Sequence, residues 1–188
     1  GIVAVTAVVG ADRGLDVAHV PGLRAQHAEH GGRVHGAGAD LHVLAVGHGQ
    51  AVLLHTADGG TVLFDAGSMS PGSVCDSILR PFLRTARLPW PQAVFLSHPH
   101  ADHYNMLAEI LQRHPPRTVY LNESFGTDPA SDPEAGGLVD SLERAGVEVV
   151  RLRAGGRVDL GGAAVEVIWP GGRGEIEGLE ANNASLVL

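Results

Sequence analysis

Three short apolar runs open the patterned part of the chain: LHVLAV at 41–46, AVLLHT at 51–56 and TVLFDAG at 61–67. Gly-His-Gly and Asp-Gly-Gly separate them, and β-type runs bounded by such turn residues predict strands in an antiparallel meander. Cys75, Ile78, Leu79, Phe82 and Leu83 then fall on one helical face. Pro81 interrupts that stretch and predicts a kink or a late helix start. QAVFLS at 92–97 predicts a compact strand, and residues 103–114 a helix with Leu107, Ile110 and Leu111 inward, stopped by Pro115 and Pro116. Another strand is predicted at 117–122, followed by an acidic, proline-rich loop and a helix over 134–145 with Leu138 and Leu142 inward. Runs at 147–152, 156–160, 163–169 and 184–188 read as further strands. A meander followed by strands alternating with helices predicts an α+β sheet with helices on an outer face.

The first forty residues lack this order. Residues 11–39 are rich in Gly, His and Arg without a sustained period and read as linker or irregular lead-in. Residues 1–10 (GIVAVTAVVG) are apolar but too short to span a bilayer. They fit the end of a membrane helix, a buried strand or the remnant of a signal sequence. The expected division is therefore a lead-in over 1–40 and one domain over 41–188.

Composition narrows the function. A formal charge of −8 argues against a surface-wide basic footprint for nucleic acid, although a local groove carrying divalent ions would reverse the sign there. All 13 basic residues are arginine, a bias with little functional content. The single Cys75 excludes an internal disulfide framework and a cysteine-rich zinc module. Eleven histidines are the anomaly. The scattered ones (His19, His27, His30, His35, His42, His48, His55) read mostly as surface or turn residues.

A second group is different. Ser97-His98-Pro99-His100-Ala101-Asp102-His103 follows directly on the strand predicted at 92–97. Three imidazoles and a carboxylate offer mixed nitrogen and oxygen ligation, which suits Zn, Mn or Fe and lacks the sulfur of a structural zinc site. An extended loop would turn residues 98, 100 and 102 to one side, with His103 at the helix start facing a second ion. Asp65, in Phe64-Asp65-Ala66-Gly67-Ser68, has two readings. It either caps the following turn or accepts a hydrogen bond from a ligand imidazole.

The HxHxDH loop with the preceding Asp-x-Gly strand end resembles the metallo-β-lactamase superfamily. Three further stretches resemble the soluble domain of ComEC-type competence proteins, which take up DNA into bacteria: 46–50 (VGHGQ), 80–84 (RPFLR) and 182–188 (NNASLVL). His48 and Gln50 stand where that branch carries Gln and a small or acidic residue. The resemblance implies an αββα sandwich, of which 41–188 would be the N-terminal part plus the start of the second half. It also implies two divalent ions, Zn or Mn, held by His98, His100, Asp102 and His103, with Asp65 behind them. Relatives carry a further Thr-Gly-Asp segment and a His-containing loop, which would lie beyond Leu188. Asn182 and Asn183 serve either as turn formers or as a ligand or substrate contact. Tyr104 either lines the cleft or packs on the helix.

Three functions follow. The first is a metal-dependent hydrolase using a metal-bound hydroxide oriented by Asp102. By resemblance it is a nuclease acting on DNA, attached through its parent protein to the bacterial cell membrane, with 1–10 ending the last membrane helix. The second is a hydrolase of esters, thioesters or lactones, mildly favoured by the charge of −8 and the lack of lysine. The third is a non-catalytic metal-binding remnant.

Overall fold

The computed structural model describes residues 24–28, 31–36, 39–127, 133–161, 163–171 and 185–188, with only the backbone for the first two segments. Eight strands form one sheet in chain order: β1 (Arg24–Ala28), β2 (Gly31–Gly36), β3 (Ala39–Leu44), β4 (Val52–Thr56), β5 (Thr61–Phe64), β6 (Ala93–Phe95), β7 (Thr118–Asn122) and β8 (Glu148–Leu152). Pairing is antiparallel from β1 to β5 and parallel from β5 to β8. Parallel neighbours need crossovers. Here α1 (Arg80–Ala86), α2 (Ala101–Tyr104) with α3 (Leu107–Arg113), and α4 (Pro133–Arg144) supply them.

The central strands are buried on both faces, which is why they read as near-continuous apolar runs. Leu53, Leu63 and Val94 turn one way and pack with Leu83, Leu107, Ile110 and Leu142 of the helices. Val52, Leu54, Val62, Phe64, Ala93 and Phe95 alternate to the other face. There they meet Val158 and Val165 of a small antiparallel sheet, β9 (Arg157–Asp159) and β10 (Ala164–Glu166). Helices, large sheet and small sheet are thus stacked as three successive layers of the expected αββα sandwich.

Two local expectations change. The stretch 24–36, expected to be irregular, contains β1 and β2, and β2 pairs with β3 across the boundary drawn at 40 and 41. Residues rich in Gly and His carry no alternating signal there, and the strands are visible only through main-chain pairing. The helix expected over 103–114 is two helices. The main-chain carbonyls of Asp102 and His103 accept from Gln50 and Ala66 (3.2 and 2.7 Å), and Met106 donates to Ala66 (2.8 Å), which diverts the helical ladder at 105–106. Helical backbone begins before Pro81: Val74 and Leu79 are right-handed helical, a π-helical turn spans Cys75–Leu79, and α1 continues from it with the proline as its second residue. Tyr104 is buried, its ring edge-on to Phe125 at 5.8 Å, which favours the packing reading. Residues 1–10, Asn182 and Asn183 lie outside the described residues. Among the described residues no helix is long and apolar enough to cross a membrane.

Candidate metal centre

The chain's chemistry collects where the parallel strands end, the place where open α/β sheets bind ligands. Asp65 follows β5, and the His98–His103 loop follows β6. Asp65 adopts a left-handed backbone (φ 55°), which Asp tolerates better than most residues. This turns its carboxylate under the neighbouring loop, where it is 1% exposed. There it accepts three hydrogen bonds of 2.7 Å, from Ser97 N–H, Ser97 Oγ–H and His103 Nδ1–H. Of the two readings of Asp65, the imidazole partner is the one the geometry shows.

Glycines let the loops meet. A Cβ on Gly67 would lie 2.4 Å from the Asp102 carbonyl carbon and 2.5 Å from the His103 nitrogen. A Cβ on Gly49 would lie 2.8 Å from the Asp102 carbonyl oxygen. The Asp-x-Gly strand end and the Gly-His-Gly turn are therefore pressed backbone to backbone against the histidine loop. Asn105 ties the same junction, since its side chain accepts from Ser68 N–H (3.0 Å) and donates to the Ser68 carbonyl (2.7 Å).

The loop is extended only as far as His100, which precedes α2 with φ −96° and ψ 139°. Asp102 and His103 consequently lie in a helical turn, and the simple alternation expected for 98, 100 and 102 does not hold. The side chains still gather. The ring centroids of His98 and His103 are 4.0 Å apart, and those of His98 and His100 4.7 Å. Asp102 Oδ2 lies 3.7 Å from His103 Nε2 and 3.5 Å from His48 Nε2. As they stand, no three His, Cys, Asp or Glu side chains among the described residues converge as the ligand set of one ion.

His98 and His103 are nearly sealed, at 3% and 4% exposure. Burial first, then the charges of His103 and His100, push the His98 imidazole down to about 3 against the pull of Asp102. It is uncharged at neutral pH. Burial also works against charge on His103, but the hydrogen bond and charge of Asp65, helped by Asp102, outweigh it and raise that group. His98 Nε2 is buried without a hydrogen-bond partner. An orphaned buried nitrogen costs about 1–3 kcal/mol, and a site that tolerates it normally has a use for its lone pair. Together with the three-nitrogen, one-oxygen donor set, this atom fits a divalent ion.

A profile of the metallo-beta-lactamase superfamily matches residues 44–177, a span that contains all of these groups. The chain belongs to the metallo-beta-lactamase superfamily. Its members are generally metal-dependent hydrolases that bind divalent ions, usually zinc. Among solved structures, a diphosphatase of the PhnP family is 20% identical with a TM-score of 0.42, covering 64% of this chain and 42% of its own. A metallo-beta-lactamase from Pontibacter korlensis is 18% identical (TM-score 0.44), covering 79% of this chain and 61% of its own. The metallo-beta-lactamase IND-7 is 15% identical (TM-score 0.43), covering 80% and 62%. This chain therefore spans less than two thirds of the length of each. No curated protein matches it.

Sequence reasoning named His98, His100, Asp102, His103 and Asp65. It passed over His48, read as a turn residue, and Ser97, read only as the residue before the first histidine. The Gly-His-Gly turn beside an HxHxDH loop is a weak pointer to the former. Nothing in the pattern singles out the latter.

Proposed function

We propose that this superfamily member is a metal-dependent hydrolase in which His98, His100, Asp102 and His103 hold two divalent ions, Zn or Mn. The observation that carries this is the orphaned Nε2 of buried His98, packed against a His103 whose Nδ1 is tied to Asp65. Ions held there supply Lewis-acid polarisation of a phosphoryl or carbonyl oxygen and lower the pKa of water to near neutrality. The chain's own contribution is positional. Asp65 holds His103 by one nitrogen and leaves the other free. Asp102, partly open to solvent, orients the attacking water.

The substrate reading that follows from the motifs at 46–50, 80–84 and 182–188 is a phosphodiester. In it the chain is a ComEC-like nuclease domain of a membrane-embedded parent protein active in DNA uptake, with DNA as partner. The formal charge of −8 and the absence of lysine favour a second reading, a hydrolase of small esters, thioesters or lactones. The chain reconstituted with Zn or Mn should cleave linear and supercoiled DNA faster than thioester and lactone substrates. The reverse ranking selects the small-molecule reading, and no turnover of any of them defeats the hydrolase.

A further inference from the structure

We infer that Ser97 is a positioning residue of this centre: its hydroxyl links Asp65 to His98 and fixes His98 as the tautomer protonated at Nδ1, leaving Nε2 free. The role rests on the metal-binding reading, but its first test does not.

Ser97 is pinned by its backbone. Its N–H donates to Asp65 Oδ1 (2.7 Å), and its carbonyl accepts from Leu186 N–H (2.7 Å) and Asn122 Nδ2 (3.3 Å). The hydroxyl oxygen then sits 2.7 Å from Asp65 Oδ2, 2.9 Å from His98 Nδ1 and 3.4 Å from His103 Nδ1. A hydroxyl has one proton to give, and a carboxylate has none. Asp65 Oδ2 already takes the His103 Nδ1 proton, and its short contact with Ser97 requires the hydroxyl proton as well. The face of Ser97 Oγ toward His98 is left with lone pairs, so only an N–H on His98 Nδ1 completes the contact. The opposite tautomer would set two acceptors 2.9 Å apart and bury an Nε2–H that has no partner. One buried carboxylate thus sets two imidazoles, His103 directly and His98 through a serine, and both present Nε2.

Long-range nitrogen–proton NMR of the metal-free chain, labelled at histidine, reads this without any ion. The expected result is Nδ1 protonation at both His98 and His103. Protonation of His98 at Nε2 overturns the proposal. Ser97→Ala should scramble the His98 tautomer, leave that of His103 unchanged and weaken zinc binding on the order of tenfold or more. Ser97→Thr, which keeps the hydroxyl, should restore both. An alanine variant with an unaltered His98 tautomer and zinc affinity overturns the role. Should that variant not fold, the parent spectrum and the threonine variant decide. The stated tautomers in a parent chain that takes up no zinc would support the hydroxyl's role and overturn the metal reading instead.

Discussion

The centre has two unlike halves. On the sheet side, Asp65, His98 and His103 are 1%, 3% and 4% exposed, and a closed set of hydrogen bonds joins Asp65 to His103 and, through Ser97, to His98. On the solvent side, His100 is exposed, and among the described residues the Asp102 carboxylate has only contacts of 3.5 and 3.7 Å to two imidazoles. Apart from the orphaned Nε2 of His98, these buried groups are satisfied by the protein itself, so the inner half is fixed before any ligand arrives. The outer half stays in water, and its geometry is left to whatever it binds. This explains how four ligand-type side chains can gather without any three converging.

Removing one nitrogen from each half gives the largest effect. The double replacement His98→Ala and His100→Ala should abolish zinc and manganese uptake, and hydrolysis with it, while circular dichroism shows the fold retained. His98 contributes a buried atom without a partner, so its loss deletes no hydrogen bond at Nε2. Uptake and turnover at the parent level would remove the ion from this place altogether.

Asp65→Asn comes next and strikes only the inner half. Asparagine tolerates the left-handed backbone as aspartate does, so the substitution isolates the hydrogen bonds from the turn. Its amide turns one acceptor into a donor facing Ser97 or His103, both of which already donate. Breaking a buried, fully used carboxylate should cost about 3 kcal/mol of unfolding free energy by denaturant titration. A loss under 1 kcal/mol would mean that the inner half is not preorganised.

The two halves were unequally legible in the sequence. Strands β3 to β8, α1 and α4 follow from runs whose burial on one or two faces leaves a periodic signal. The donor residues follow from their spacing after an apolar strand. What was hidden depends on pairing between distant segments. The strands β1 and β2 rest on main-chain register with β3, and a helix ends at 105–106 because its carbonyls serve the loops at 50 and 66. Ser97 joins its neighbour His98 to the carboxylate of Asp65, far back in the chain, and His48 meets Asp102 across a similarly long separation; no local pattern encodes such meetings.

Gly67→Ala tests the seam between the halves. The added methyl would sit 2.4–2.5 Å from backbone atoms of Asp102 and His103, and backbone cannot step aside as a flexible side chain can. The strand end and the histidine loop must part, at a cost of about 1–2 kcal/mol in stability. Ion affinity should fall further than that figure alone would give, because the displacement moves a ligand of each half. Stability and affinity both at the parent level would show that the close packing of these loops does not govern the site.

His48→Ala should have the smallest effect, and it sharpens the contrast most directly. The imidazole is 82% exposed and reaches Asp102 across 3.5 Å, a contact that solvent and salt screen. Exposed substitutions of this kind alter stability by no more than about 0.5 kcal/mol. If the outer half is organised by its ligand, the metal-free variant should match the parent in thermal unfolding, and any difference should emerge only in ion-loaded protein. A clear loss of stability in the metal-free variant would mean that His48 already holds Asp102 in place, and that the outer half, like the inner one, is built by the chain.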